Sequence, residues 1–270
     1  MIRNWLGCVT GLCIWSMVFL HKFSEMSEFR FKRFSIINER SAMKVNTDGV
    51  LLGASMTIGP EDRRLLDVGT GTGTIALMAA QRLSDSAGDM DFHIDAIDID
   101  GPSADEAEHN FNNSPWSGSL SVRHASLDEF DAGLDPGIRY DHIFSNPPYF
   151  EDSLNAPDRR RNDSRHTSTG LSYRDLLDFA RLRLSPMGHL SIVLPSETEA
   201  PLTRYARMCG LHVFRIIRVR TVPRKQPSRI IAEFSSDRCE SPVNELVTIQ
   251  EEGRYTKEYL ALTKDFYLFA

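Results

Sequence analysis

The sequence predicts an α/β protein: a seven-stranded, mostly parallel sheet whose last strand runs antiparallel, with helices on both faces. Three observations lead there. Between Arg64 and Leu194, short apolar or β-branched runs alternate with stretches of helical apolar spacing, the pattern of a parallel sheet covered by crossover helices. Two of these runs end in glycine or proline motifs, DVGTGTG (67–73) and NPPYF (146–150), where such folds place their chemistry. Finally, residues 212–235 read as strand, Pro-bounded turn and strand, a terminal hairpin that reverses the last strand.

The elements follow in order. Strands are expected at RLLDV (64–68), FHIDAIDI (92–99), LSVRHA (120–125), YDHIFSN (140–146) and HLSIVL (189–194). Between the first two, TIALMAAQRL sets Ile75, Met78, Ala79 and Leu83 on one helical face. SADEAEHNFNN forms the next helix, opened by Pro102–Ser103. SYRDLLDFARLRL (172–184) turns Leu177, Ala180 and Leu184 inward and stops at Pro186–Gly188, and 197–208 is one more helix. VFRIIRVRTV and RIIAEFS, joined by PRKQPS, complete the sheet. No Gly-, Pro- or Ser-rich linker interrupts 26–270, so this stretch is read as a single domain.

At 41% hydrophobic and 25% charged residues, with 17 Gly and 13 Pro and no biased tract, the 270 residues can bury a full core and are neither disordered nor repetitive. Residues 1–25 differ. Trp5–Leu20 carries no charge, and as a helix it would reach about 24 Å, short of a hydrocarbon core of about 30 Å. Arg3 precedes it as in a secretory signal, but no small-residue cleavage site follows. The expectation is an upstream segment translated from a mis-assigned start, with Met26 as the biological start and a membrane anchor as the second reading. Of four cysteines only Cys209 and Cys239 lie beyond it, without metal-ligand spacing, so neither a disulfide framework nor a metal is expected, and the interior is read as reduced.

The net charge is −6, yet three strips, 29–34, 159–166 and 215–229, hold 13 Lys or Arg against the single acid Asp163. Basic strips on an acidic body are candidates for holding a phosphate backbone; the alternative is a set of solvated faces. The first strip interleaves Phe29, Phe31 and Phe34 with Arg30, Lys32 and Arg33.

In DVGTGTG, Gly69, Gly71 and Gly73 allow a tight turn and bring backbone N–H groups close to a ligand at a helix amino terminus. A nicotinamide fingerprint would need a third glycine where Thr74 stands. G-x-G-x-G behind Asp67 instead resembles the first motif of class I S-adenosylmethionine-dependent methyltransferases. IDAIDID ends on Asp98, placed to accept hydrogen bonds from two ribose hydroxyls, while Asp100 reads as a solvated turn residue. The adenine contact falls near Ser126, where many relatives carry Asp.

The strand YDHIFS runs into NPPYF, which resembles the [DNS]-P-P-[YFW] motif of amino-methylating class I enzymes. An amine conjugated to a ring or carbonyl is a poor nucleophile. Hydrogen bonds from it to the Asn146 side-chain oxygen and the Pro147 carbonyl would favour a pyramidal nitrogen, and Tyr149 would stack on a planar substrate. In-line transfer then rests on orientation and electrostatics without a strong base.

The chain further resembles the bacterial tRNA1(Val) (adenine(37)-N6)-methyltransferases over nearly all of 26–270. The resemblance is carried by FRFKRFSI (29–36), MKVNTDGVLLGA (43–54), LLDVGTGTGTIALMAAQR (65–82), AIDID (96–100), FNNSPW (111–116), FSNPPYF (144–150), SRIIAEFS (228–235) and YLALTKDFYLF (259–269). It implies a class I, Rossmann-like methyltransferase using S-adenosylmethionine on an adenine beside the anticodon, a single-stranded position whose base is open to stacking and edge recognition. It puts Thr47 and Asp48 near the cofactor, although both also serve as a helix cap for GVLLGAS. Arg159, Arg160, Arg161 and Arg165, in the long loop after NPPYF, would touch the anticodon stem-loop, with Arg30, Lys32, Arg33, Arg224 and Lys225 as further tRNA contacts. His166 is read as solvated or phosphate-facing. Both substrates imply the cytoplasm, without stable membrane association of 26–270. The alternatives are an N5-glutamine methyltransferase acting on a protein such as a release factor, and a non-catalytic RNA-binding protein of the same fold.

Overall fold

A computed structural model describes residues 27–41, 43–86, 91–148 and 171–269. The apolar segment 1–25, Tyr149, Arg159, Arg160, Arg161, Arg165 and His166 lie outside them.

A short antiparallel hairpin, β1 (Glu28–Arg30) and β2 (Ser35–Ile37), precedes α1 (Thr47–Ser55). Then β3 (Arg64–Val68), α2 (Thr74–Ser86), β4 (His93–Asp98), α3 (Gly101–Asn112), β5 (Leu120–His124), α4 (Leu127–Ala132) and β6 (Tyr140–Ser145) alternate; of these only the short α4 is not among the elements expected from the sequence. After the undescribed stretch come α5 (Tyr173–Arg183), β7 (Leu184–Pro195), α6 (Glu199–Met208), the hairpin β8 (His212–Arg220) and β9 (Arg229–Ser235), then β10 (Val243–Thr248). A small ribbon, β11 (Gln250–Glu251) and β12 (Arg254–Tyr255), and α7 (Lys257–Thr263) finish the chain.

The main sheet has the order β10-β8-β9-β7-β6-β3-β4-β5. Strands β3 to β7 are parallel, and β9 runs antiparallel to both β7 and β8. Alternation along each strand divides the core. Leu65, Ile94, Phe144 and Ile231 pack under α1, α2 and α3, while Leu66, Ile97, Ile143 and Ile230 pack under α5 and α6.

Two departures from the sequence expectation have physical causes. The sheet has eight strands, not seven: β10 adds to the outer edge of β8, in parallel. Of its six residues only Thr248 is buried, and Val243 and Leu246 are exposed, so no apolar alternation announces it. Second, Pro186–Gly188, read as a helix stop, lies inside β7, which begins directly after α5. The register with β6 shifts there, and a Cβ on Gly188 would sit 2.7 Å from the Tyr140 carbonyl oxygen; the glycine admits an irregular strand rather than ending a helix.

The hairpin also changes the reading of the first basic strip. Phe31 and Phe34 are buried, stacked with each other and packed on Tyr267 and Trp116. They are core, not a stacking platform for bases.

Candidate active site

The site is built where β3, β4 and β6 end. Between Val68 and α2 the chain turns through Gly69, Gly71 and Gly73 with φ of +72°, +57° and +79°, values that strain any residue with a Cβ. Amides of Gly69 and Thr70 donate to the Ile97 carbonyl at 2.9 and 3.0 Å, tying the turn to β4. Asp98 closes it: Oδ2 accepts from the Gly71 amide at 2.8 Å and Oδ1 from the Asp100 amide at 2.9 Å. Burial raises the Asp98 pKa from its ordinary value, against the pull of these two amides.

Asp67, fully buried at the end of β3, accepts a hydrogen bond from the Thr70 hydroxyl at 2.7 Å through Oδ2. Its other oxygen makes no hydrogen bond of good geometry, and the Ala76 amide steadies its charge only in part. Burial therefore dominates and lifts its pKa to about 7.

Gly73 serves packing. A Cβ there would lie 2.5 Å from the Phe111 ring, so the close neighbour that excludes a side chain is α3. We expect Gly73→Ala to cost about 3 kcal/mol, from the left-handed backbone and the forced repacking. That corresponds to a Tm drop of roughly 6–12 °C in a thermal melt. An unchanged Tm would contradict this packing role.

Asn146 follows β6 directly, and the Ser145 hydroxyl donates to the Val68 carbonyl at 2.6 Å, locking the ends of β6 and β3 together. Asn146 and Pro147 are buried. The Asn146 Nδ2 faces Asn46 Oδ1 at 3.5 Å and Met43 Sδ at 3.6 Å. Asn46, rather than Thr47 or Asp48, is the cap of α1: its Oδ1 accepts from the Gly49 amide at 2.8 Å. A Cβ on Gly49 would come 3.7 Å from Asn146 Nδ2, so the start of α1 abuts the motif side chain. Thr47 is exposed beside it, and Asp48 pairs with Arg229 at 2.8 Å. Thr47, Asp48 and Arg229 line a cavity of about 370 Å³ at this end of the sheet.

The sequence reading missed the residues that hold the amino-terminal segment over the glycine turn. Glu106 of α3 accepts amides of Glu39, Arg40 and Ser41 at 2.7, 3.0 and 2.9 Å. Asn110, one turn on, bonds Ile37 and the Thr72 carbonyl. Ser41 Oγ and the Met43 carbonyl pass 3.5 Å from where a Gly71 Cβ would stand. Acids and amides in a charged helix give no periodic signal; only the fold brings them to this segment.

Other expected site residues are placed as follows. Ser126, beyond β5, caps α4: its hydroxyl accepts from the Glu129 amide at 3.2 Å while Glu129 reaches back to the Ser126 amide at 2.9 Å. Asp100 caps α3 through the Ser103 amide at 3.0 Å, and so is not a merely solvated turn residue. Arg30 pairs with Glu28, Lys32 donates to the Lys264 carbonyl, and Arg33 pairs with Asp85 and lies 5.5 Å over Trp116. Arg215, Arg218 and Arg229 of the third strip are likewise ion-paired. Arg224 and Lys225 stand exposed between β8 and β9, at the same end of the sheet as Asn146.

Comparison with known proteins identifies the family of the chain. The methyltransferase small domain family matches residues 41–206. In fold the chain resembles a crystal structure described as a predicted O-methyltransferase from Agrobacterium tumefaciens, with a TM-score of 0.56 and 19% identity over 81% of this chain and 96% of that one. It is 43% identical over 241 residues to the tRNA1(Val) (adenine(37)-N6)-methyltransferase of Parabacteroides distasonis, covering 89% of this chain and 97% of the relative. The protein of the same name from Flavobacterium psychrophilum is 40% identical over 242 residues, 89% of this chain and 99% of the relative. The chain therefore belongs to the tRNA1(Val) (adenine(37)-N6)-methyltransferase family.

Proposed function

We propose that the protein transfers a methyl group from S-adenosylmethionine to N6 of an adenine in tRNA, adenine 37 of tRNA1(Val), and does so in the cytoplasm. The observation that carries this reading is Asn146–Pro147 at the end of β6, locked beside the glycine turn and braced by the cap of α1.

The residues present fit the cofactor. A buried Asp67 with an oxygen left without a good hydrogen bond, a turn of three left-handed glycines and an acid held by the Gly71 amide make a donor and acceptor set for a cationic, ribose-bearing ligand. When bound, S-adenosylmethionine supplies an electrophilic methyl group on a sulfonium. Asp98 would accept from the ribose hydroxyls, and Asp67 would balance positive charge near the turn. The Ala125 amide donates to the Asp98 carbonyl at 2.9 Å, which brings the adjoining Ser126 near Asp98 and supports its reading as a residue that would border the adenine.

Asn46 Oδ1 can only accept, so its contact with Asn146 Nδ2 sets which way round the Asn146 amide sits. Asn146 Oδ1 and the Pro147 carbonyl would each accept one N–H of the target amine, which would turn its lone pair toward the incoming methyl group. The two prolines stiffen the backbone presenting that carbonyl, and Tyr149 stacks on the base. As the methyl–nitrogen bond formed, the sulfonium–methyl bond would break to leave a neutral thioether, and the methylated nitrogen would give up one proton to solvent.

Two measurements test the reading. Calorimetric titration with S-adenosylmethionine should give saturable binding; none would leave only a non-catalytic RNA-binding role. Replacing Arg159, Arg160 and Arg161 together by alanine should weaken tRNA binding and flatten its salt dependence, by about 0.7–0.9 in the log–log slope for each phosphate no longer neutralised. An unchanged slope would remove that strip from the tRNA surface.

A further inference from the structure

At the opposite end of the sheet lies a buried polar cluster that methyl transfer does not use. Asp62, just before β3, His142 of β6 and His189 of β7 are all buried, and one potential ligand atom of each lies within 4.8 Å of the others. Register explains the meeting. His142 and His189 are partners across the parallel strands β6 and β7, so their rings leave the same face, with centroids 4.0 Å apart. Asp62 enters from the loop before β3, where its Oδ2 accepts from the Gly59 amide at 2.8 Å.

The hydrogen bonds fix where the imidazole protons are. His189 Nε2 lies 2.5 Å from the Thr57 carbonyl oxygen, which can only accept, so Nε2 carries a proton and Nδ1 is the nitrogen left to act as a metal donor. His142 Nε2 lies 2.8 Å from Ser191 Oγ. The single proton of Ser191 is given to Glu233 Oε1 at 2.8 Å. Both oxygens of that carboxylate act as acceptors, taking further hydrogen bonds from the Thr57 amide, the Thr57 hydroxyl and Arg215. Ser191 Oγ therefore accepts from His142 Nε2, and His142 Nδ1 is left as a lone pair. This atom is buried and has no hydrogen-bond partner among the described residues.

Two imidazoles and a carboxylate thus gather in one buried place, and each ring keeps one nitrogen that no described acceptor engages. In each ring the Nε2–H is committed to an acceptor outside the cluster, Thr57 O for His189 and the Ser191–Glu233 pair for His142. Imidazoles that bind metal ions are oriented in this way, by a carbonyl or carboxylate on the other nitrogen. Nitrogen donors with one carboxylate suit zinc and its neighbours in the first transition row better than magnesium or calcium. Bonds of about 2.0–2.2 Å would set tetrahedral donors about 3.4 Å apart, within a small inward movement of the side chains.

The geometry points to a divalent transition-metal site, suited to Zn²⁺, formed by Asp62, His142 and His189, with water completing the coordination. It ties the loop between α1 and β3 to the middle of the sheet. Because Asp62 precedes β3 and the glycine turn follows it, the ion would act on stability and not on turnover. The ligands are spread over residues 62, 142 and 189, so no spacing in the sequence reports them.

The test uses untagged protein grown with zinc and purified without chelator. Elemental mass spectrometry should find stoichiometric zinc, lost in Asp62→Ala and His142→Ala. Adding ZnCl₂ to chelator-treated wild-type protein should raise its Tm by several degrees. Adding CoCl₂ should give visible d–d bands that Asp62→Ala lacks, while S-adenosylmethionine affinity stays unchanged. Only trace metal in the wild type, with no Tm shift on ZnCl₂ and no cobalt bands, would overturn the proposal and leave an ordered water or a shared proton at His142 Nδ1. Should a variant not fold, the wild-type metal content and zinc-dependent Tm decide alone.

Discussion

Asn146→Ala is expected to lower methyl transfer by roughly 100- to 1000-fold while leaving the Kd for S-adenosylmethionine within about threefold. The magnitude is that of removing one preorganised polar contact to a reacting group. The split follows from position. Asn146 lies against Asn46 and Met43, on what the proposed arrangement makes the substrate side, whereas the residues proposed to hold the cofactor are the glycine turn, Asp67 and Asp98. Since Asn146 is buried against α1, a thermal melt should accompany the kinetics; a small change in Tm separates lost chemistry from lost fold. Asn146→Asp, which keeps an acceptor oxygen at the same reach, should retain more activity than alanine. A variant with most of its turnover intact would remove Asn146 from the transfer step.

Asp98→Ala should produce the opposite pattern, weakening S-adenosylmethionine by roughly 100- to 1000-fold in Kd. Two charge-assisted hydrogen bonds to ribose hydroxyls would disappear, about 1.5–3 kcal/mol each before compensation, and about 1.4 kcal/mol corresponds to tenfold. The Gly71 and Asp100 amides also lose their acceptor, so the glycine turn loses its brace. The site has a pH signature as well. Asp67, raised to about 7 by burial, holds a proton more tightly in the folded protein than in the unfolded chain. Its ionised form therefore costs stability, a cost that is absent at low pH and grows as pH rises toward 7. A cationic cofactor favours the ionised form, so binding should release a proton and affinity should fall as pH drops below about 7. Asp98, raised in the same direction, adds to this slope. Calorimetry in buffers of different ionisation enthalpy measures the proton release; affinity independent of pH between 5 and 8 would contradict this role for Asp67.

The parts of the fold legible in the sequence are those where backbone geometry demands particular residues. Three left-handed turn positions need glycine, so Gly69–Gly73 announces the passage from β3 to α2. Asp98 and Asn146 stand out because each follows an apolar run that must be a buried strand. What escapes detection depends on tertiary neighbours. The strip 29–34 alternates Phe with Arg and Lys, a pattern equally suited to a nucleic-acid surface and to a hairpin with one face buried; only Trp116 and Tyr267, distant in sequence, decide for the latter. Asn46 yields the assignment of helix cap to its neighbours Thr47 and Asp48, because three adjacent residues all have capping side chains. Glu106 and Asn110 look like an ordinary polar helix face until the segment 37–41 is laid across them. The strand β10 is too exposed to leave an apolar pattern.

Whether this site methylates N6 of adenine 37 in tRNA1(Val) is decided by the product it makes on tRNA. tRNA from cells lacking the gene is incubated with the protein and S-adenosylmethionine, digested, and analysed by nucleoside and oligonucleotide mass spectrometry, with Asn146→Ala in parallel. The expected result is N6-methyladenosine in the anticodon-loop fragment bearing nucleotide 37 of tRNA1(Val), absent with the variant. Methylated glutamine in a release factor, with no N6-methyladenosine in any tRNA fragment, would contradict it.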